Sequence, residues 1–538
     1  MAPAQAQSAP RLAHSHAHEG EIPGTVDLTA AEGDDTAYGQ ALYPVPSEDP
    51  NDPLQWPAWK KHVILIIVSL FSFLGNCSLV GPSVYISIYS EEFGVSHAAA
   101  SGLISYPNLA FGFGSLVLVP MYLKFGRRPV TLFSMLTFLV GLIGASRATS
   151  FSGLMVARVF HGFGSGVCES LPVQMVNDIF YLHERGKRIG YYTICLCIGS
   201  TGPLYAGYML SGGYSWRLFF YVLAAFAGAL LIMAFLFVEE STYHREGKDI
   251  SPSPSINNDL KPDSSIHAEP TDSPPAVPKR KSFLETLKPW SGIDHDAAFF
   301  LTMFRSFTYF FVPAVFWVIT TYGIYIGLGA LTYNYTFPIK ITAPPYNWSQ
   351  TNSGLIAVAT AVGFILAIPF TSVSDRLAAR LTRRNNNIRE AEMRLPALLP
   401  VMLISPAGLI VYGFTAQRNL HWIGYFFGVG MSQFGSYFYF TLTLAYAVDS
   451  YYANTSEMLI AMNLGKQAIS FGMGSYLLDW IMENGYAVVI SGIFCGVALA
   501  NNLAVVVFML WGKKIRRSTN RSWLGRLHAQ SATRDMTH

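Results

Sequence analysis

Charge is scarce in this chain. Asp, Glu, Lys and Arg make up 13% of its 538 residues, against roughly 25% in a typical soluble domain. A chain this long would ordinarily divide into three or four soluble domains of about 150 residues. Thirty-six basic and 33 acidic side chains are too few to cover that much water-facing surface. Cysteine is scarce as well. Cys77, Cys168, Cys195, Cys197 and Cys495 all sit in apolar runs without metal-ligand spacing, which argues against a disulfide framework or a zinc site. The net charge is only +3, and no basic stripe alternates with aromatics, so nucleic-acid binding is not expected. Also missing are a Gly-x-Ser-x-Gly elbow, a phosphate-binding glycine loop, a metal triad and a dinucleotide fingerprint in context. No enzyme activity, cofactor or metal is therefore expected. The first 58 residues carry nine acids and a single basic residue, Arg11. They read as a disordered acidic tail with no cleaved signal peptide. His14, His16 and His18 alternate within it, a weak metal-site pattern in a segment better read as disordered.

What the chain has in quantity is apolar surface: 51% hydrophobic residues, 14% aromatic and a mean hydropathy of +0.32. A helix crossing a hydrocarbon core of roughly 30 Å needs about 20 mostly apolar residues. Twelve such runs are present, near 62–89, 98–122, 129–147, 152–178, 187–211, 216–238, 306–337, 350–373, 395–415, 420–447, 456–482 and 486–512. The expected fold is an all-α membrane protein of twelve transmembrane helices in two six-helix repeats. Its bundles span 59–238 and 306–512, with a disordered linker at 239–305 and a basic tail at 513–538. Thirty of the 36 basic residues fall on one side of this layout, and only Arg147, Arg217, Lys340 and Arg418 on the other. Both termini and the linker are therefore expected in the cytoplasm. Asn347-Trp348-Ser349 then lies in an outer loop as a glycosylation acceptor.

Ionisable groups inside spans are costly and mark function. The fourth span carries Arg158-Val159-Phe160-His161-Gly162-Phe163-Gly164, with Glu169 eleven residues beyond Arg158. That separation is about 16 Å along a helix, too far for a direct pair but short enough to line one cavity. Glu169 suits a carboxyl that loads and releases a proton, and His161 either joins that relay or simply packs. Lys466 in the eleventh span either binds an anionic substrate or snorkels to the interface. Tyr106, Tyr322, Tyr325, Tyr333, Tyr437 and Tyr439 are candidate cavity aromatics. Gly199, Gly202, Pro203 and Gly207 in the fifth span permit close helix contact and a bend.

The segment Val119-Pro120-Met121-Tyr122-Leu123-Lys124-Phe125-Gly126-Arg127-Arg128 resembles the Gly-x-x-x-Asp-Arg-x-Gly-Arg-Arg signature of the major facilitator superfamily. Val119 and Leu123 depart from it. The pattern recurs in part at Ser374-Asp375-Arg376, and Asp178 and Asp449 close the fourth and tenth spans at equivalent places. The resemblance implies a conformational switch built from Lys124, Gly126, Arg127, Arg128, Asp178, Asp375, Arg376 and Asp449. It also implies a role for Arg158 in proton transfer. The fifth span is close to the antiporter signature Gly-Pro-x-x-Gly-Gly, with Ala206 in place of one Gly. With Asn51 to Pro57, Trp216-Arg217 and Tyr446 to Tyr451, the chain resembles fungal twelve-span drug:proton antiporters over about 50–517. The implied function is proton-coupled efflux of a small organic molecule, a secondary metabolite, toxin or drug, by alternating access. Its partners would be protons, substrate and the bilayer, and it would act as a monomer in the plasma membrane, with the vacuolar or another internal membrane as the alternative. Competing readings are proton-coupled uptake, export of polyamines, other cations or nutrients, and a membrane sensor.

Overall fold

Before the first span, Asp52-Pro53-Leu54-Gln55-Trp56 folds as a short turn. The Asp52 carboxylate accepts from the Leu54 N–H at 2.9 Å, Leu54 and Trp56 are buried, and Lys61 Nζ donates to the Leu54 carbonyl at 2.8 Å. The computed structural model describes residues 25–27, 49–243, 282–290, 292–293, 298–386, 388–450, 455–525 and 527–528. The first span runs Ala58–Phe93, the second His97–Phe125 and the third Arg127–Arg147. The fourth is broken into Phe151–Gly164, Ser165–Val167 and Leu171–Ile179, and the fifth into Leu182–Gly199 and Gly202–Met209. The sixth is Arg217–Phe237 and the seventh Pro313–Thr342. The eighth and tenth are Ile356–Arg384 and Ile423–Ser450, with Ala391–Arg418 as the ninth between them. The eleventh and twelfth are Thr455–Asn484 and Ala487–Arg521.

Eight of these helices are long and apolar enough to cross a membrane by length and composition. The fourth, fifth, tenth and eleventh are the four that fall short. The fourth and fifth are interrupted, and the eleventh carries Glu457, Lys466, Asp479 and Glu483. With them the chain is an all-α membrane protein of twelve spans in two sets of six. Large apolar side chains point outward, Leu403 at 72% and Met482 at 83% exposure among them, as lipid-facing helices require.

Two pieces of chain outside the spans add detail. Thr25–Asp27 pairs antiparallel with Ile388–Glu390, so this part of the acidic tail, expected to be disordered, forms a strand. A helix at Phe299–Thr308 starts in the last part of the stretch read as linker and runs into the expected seventh span, with Arg305 and Ser306 buried.

Arg158 acts as a staple within the first set of six. It is fully buried, and its guanidinium donates to the carbonyls of Leu103, of Ser78 at 3.2 Å and of Leu79 at 3.2 Å, with the Phe220 ring 5.7 Å away. One side chain thus ties the fourth span to the first, second and sixth.

The two sets meet most closely at the end away from Arg127 and Arg128. A Cβ on Gly354 would stand 2.1 Å from the Pro203 carbonyl oxygen, and one on Gly207 would stand 2.8 Å from that of Thr351. The fifth span and the Gln350–Leu355 turn that leads into the eighth are therefore in backbone contact there. Overpacking such a contact costs about 1–3 kcal/mol. Gly354→Ala should therefore lower the Tm of the purified protein by several degrees. Gly472→Ala, where nothing lies within 4 Å, should leave it unchanged or slightly raised. Equal Tm values for the two variants would show that this contact does not hold the two sets together.

Candidate functional site

The interface between the two sets of helices carries a short line of polar contacts. Ser105 and Tyr335 lie 3.1 Å apart through their hydroxyls. Asn463 Nδ2 donates to Ser115 Oγ at 3.4 Å, and Gln174 Nε2 donates to Ser456 Oγ at 2.6 Å. At its centre the Lys466 ammonium donates to Glu169 Oε2. The lysine side chain is 4% exposed and the carboxylate 25%. Lys466 Nζ also stands 5.9 Å from the ring centroids of both Phe111 and Tyr322, favourable positions for a cation. The buried Tyr192 hydroxyl donates to the Glu169 carbonyl at 3.0 Å. One carboxylate with partial access, gripped by a buried ammonium from the opposite half, can exchange a proton or a counter-charge.

The sequence candidates fall into two groups. Glu169, Lys466 and Tyr322 come together here, although Lys466 was expected to snorkel or hold an anion rather than pair with Glu169. Tyr322 also donates its hydroxyl to the Phe440 carbonyl. Tyr437 is half-buried with Phe364 6.0 Å away, and Tyr106 is 48% exposed against Phe471 at 5.0 Å. The other candidates lie apart from this pair. Arg158 donates to backbone carbonyls of the first and second spans. His161 is fully buried, stacked on Phe138 at 5.9 Å, with Nδ1 against the Arg158 carbonyl, the packing alternative of the two expected for it. Tyr325 and Tyr439 are nearly sealed from solvent, stacked on each other at 4.5 Å, and Tyr325 donates to Asn502 Oδ1 at 2.9 Å. Tyr333 is likewise 1% exposed. Their aromatic surface packs the second half instead of lining the cleft.

Of the residues expected to form a switch, Arg127, Arg128 and Asp178 gather at the basic end of the first half and Asp449 lies at that of the second. Gly126 at φ 95° lets the chain turn tightly before the third span. Arg127 Nε meets Asp178 Oδ2 at 3.0 Å, and the Ser241 hydroxyl donates to the same oxygen at 2.8 Å. Glu240 accepts from the N–H groups of Arg127 at 2.8 Å and Arg128 at 3.2 Å, a carboxylate placed at a helix N-terminus. The Arg128 guanidinium donates to the carbonyls of Val238 and Phe235. Lys124 is half-buried beside this cluster. In the second half, Asp449 is met by Arg394 Nε at 2.7 Å and by Arg389 at 3.8 Å. Arg376 is exposed, and the side chain of Asp375 lies outside the described residues. Glu240 and Arg394 are the partners that motif reading missed. Each directly adjoins a span end, and unmatched charges there were the available signal.

Gly199 and Gly202 face the first span, where an added Cβ would meet the carbonyls of Phe73 at 2.7 Å and Cys77 at 2.6 Å. Pro203 starts the outer piece of the fifth span, and Gly207 makes the contact with Thr351. The four residues of this motif thus form the close-packed face of one broken helix. Asn347 is exposed, in left-handed conformation at φ 50°. Among the described residues no cluster of three His, Cys, Asp or Glu is placed to hold a metal. His14, His16 and His18 lie outside the described residues.

Comparison with known proteins identifies the family and the fold. The chain is 24% identical over 529 residues to an uncharacterised MFS-type transporter of Schizosaccharomyces pombe, covering 90% of this chain and 89% of that protein. It is 28% identical to the efflux pump FUB11 of Gibberella moniliformis, covering 86% and 74%. The partially occluded inward-open structure of the xylose transporter XylE from E. coli superposes with a TM-score of 0.53 at 12% identity. That superposition covers 84% of this chain and 98% of that one, a likeness of fold alone. The family model described as the Major Facilitator Superfamily matches residues 65–475. The chain belongs to the major facilitator superfamily.

Proposed function

We propose that this transporter exports small organic molecules in exchange for protons, with Glu169 as the proton-carrying group. The observation that carries this reading is the Glu169–Lys466 pair joining the two halves. While Glu169 is ionised, the pair holds the fourth and eleventh spans together at the centre. A proton on Glu169 cancels the attraction and frees the halves to rock. Proton binding from outside and conformational change are thereby coupled. In this cycle the proton enters Glu169 from the outer side as substrate leaves, and departs to the cytoplasm when the outer end has closed. The moving units are 59–238 and 306–512, working as a monomer with 239–305 as their cytoplasmic tether. Arg127–Asp178 and Arg394–Asp449 brace the ends that move. Half-buried Tyr322 and Tyr437 and exposed Tyr106 suit a planar or amphipathic cargo, a secondary metabolite or toxin, carried across the plasma membrane.

One feature supports a second reading. With Glu169 protonated, Lys466 is left without its carboxylate and can accept a substrate anion. Proton and anion would then move together. Proteoliposomes with an imposed pH gradient separate the two: counterflow of substrate and protons supports exchange, and movement in the same direction supports coupled uptake.

Glu169→Gln should abolish gradient-driven movement while leaving exchange of labelled for unlabelled substrate measurable. A variant that still followed the pH gradient as the native protein does would remove Glu169 from this role. The same change leaves a buried ammonium without its counter-charge, a loss of about 3–5 kcal/mol in comparable buried pairs. Adding Lys466→Met should therefore recover the Tm without restoring proton dependence.

Orientation is tested separately. With Asn347 outside, the protein expressed in a eukaryotic host should migrate faster on a gel after glycosidase treatment, and Asn347→Gln should remove the difference. An unglycosylated Asn347 together with a protease-accessible acidic tail on intact cells would reverse the proposed orientation.

A further inference from the structure

The twelfth span is longer than a bilayer needs. Ala487–Arg521 holds 35 residues, about 50 Å at the helical rise, against a hydrocarbon core of about 30 Å. Its last turns therefore lie at headgroup depth. Along one face the helix changes character. Leu503, Val507 and Leu510 are exposed large apolar side chains. They are followed by Lys514, Arg517 and Arg521, exposed as well. At about 100° per residue, all six fall within roughly 80° of arc, a single stripe. The bundle-facing side of the same turns is already engaged. Lys513 meets Glu390 at 2.6 Å, and Arg516 donates to Glu392 at 2.8 Å from Nε.

Lys514, Arg517, Ser518, Arg521 and Ser522 line a shallow, open groove of about 390 Å³, and none of these described lining residues is a carboxylate. Trp511 and Trp523, 50% and 60% exposed, flank it along the chain, as indoles do at a membrane interface.

We propose that this groove binds an anionic phospholipid. Its phosphate sits between Lys514 and Arg517, with the Ser518 and Ser522 hydroxyls as further donors. Its acyl chain lies along Leu510, Val507 and Leu503. The unbroken passage from the exposed apolar side chains Leu503, Val507 and Leu510 to basic Lys514 and Arg517 on one helix face is what favours a lipid over a free phosphate ion, which would gain nothing from the apolar stripe. Assigning the lipid to the cytoplasmic leaflet rests on the orientation proposed above, whereas binding itself does not.

The test uses the purified full chain in detergent, titrated separately with phosphatidic acid, phosphatidylcholine and inorganic phosphate. Bound adducts are counted by native mass spectrometry. Phosphatidic acid should bind the native chain in preference to phosphatidylcholine. The exposed double variant Lys514→Gln/Arg517→Gln, at unchanged Tm, should bind it at least about tenfold more weakly, each basic group contributing roughly fivefold at an anionic surface. Equal affinity of variant and native chain, or no preference over phosphatidylcholine, overturns the site. Inorganic phosphate binding the native chain as strongly as phosphatidic acid overturns the lipid assignment. None of these readouts requires transport, so failure here is distinct from failure of the exchange reading.

Discussion

A charge inside a hydrocarbon slab must bring its own counterpart, because taking an ion from water costs several kcal/mol even after the protein relaxes. The structure meets this demand in two ways. Arg127–Asp178, Arg394–Asp449 and Arg516–Glu392 stay within one half of the molecule, and Arg158 finds its acceptors among backbone carbonyls of its own half. Such groups can remain satisfied while the halves move as bodies. Glu169 and Lys466 sit on opposite halves, so any rearrangement that parts the fourth and eleventh spans must leave one of them unmatched or neutralise it. A proton on the carboxylate is the least costly way to do so.

Close backbone contact supplies the complementary constraint. With no hydrophobic drive between helices in lipid, association depends on packing, and small residues permit the tightest approach. The fifth span uses this twice, against the first span at Gly199 and Gly202 and against the start of the eighth at Pro203 and Gly207. One broken helix therefore belongs firmly to its own half and also touches the other. Its interruption between Gly199 and Gly202 falls within the contact with the first span, so both pieces of the helix stay packed on their own half.

Much of this was legible from the chain alone, for physical reasons. Spans are readable because hydrocarbon thickness sets helix length, and the skew of basic residues is readable because it is a count. The same scarcity of charge singled out Arg158, Glu169 and Lys466. Pairing was not legible, because it depends on how two distant spans are brought together. Arg158 and Glu169 share a helix and looked like companions, yet the partner of Glu169 comes from 297 positions away. Tyr325 and Tyr439 were candidates only as aromatics able to line a cavity, and only packing could show that they stack on each other. Glu240 escaped notice because a carboxylate just past the sixth span looks solvated until the third helix presents its N–H groups to it.

The four spans too interrupted or too polar to qualify as simple membrane helices are the fourth, fifth, tenth and eleventh. They are also the spans that hold Glu169, the Gly-Pro break, Asp449 and Lys466. In a protein whose only task was to remain in the bilayer, such departures would be costs without return. Repeat symmetry sharpens the point. The fourth and tenth spans occupy equivalent places in their halves and carry equivalent acids, Asp178 and Asp449, each bound by an arginine from the start of another span of its own half. Glu169 belongs to the fourth span and Lys466 to the eleventh, so their pair has no symmetric copy. A feature that duplication of one half alone does not supply, set in the least membrane-like helices and joining the two halves, is the one on which the proposed exchange rests.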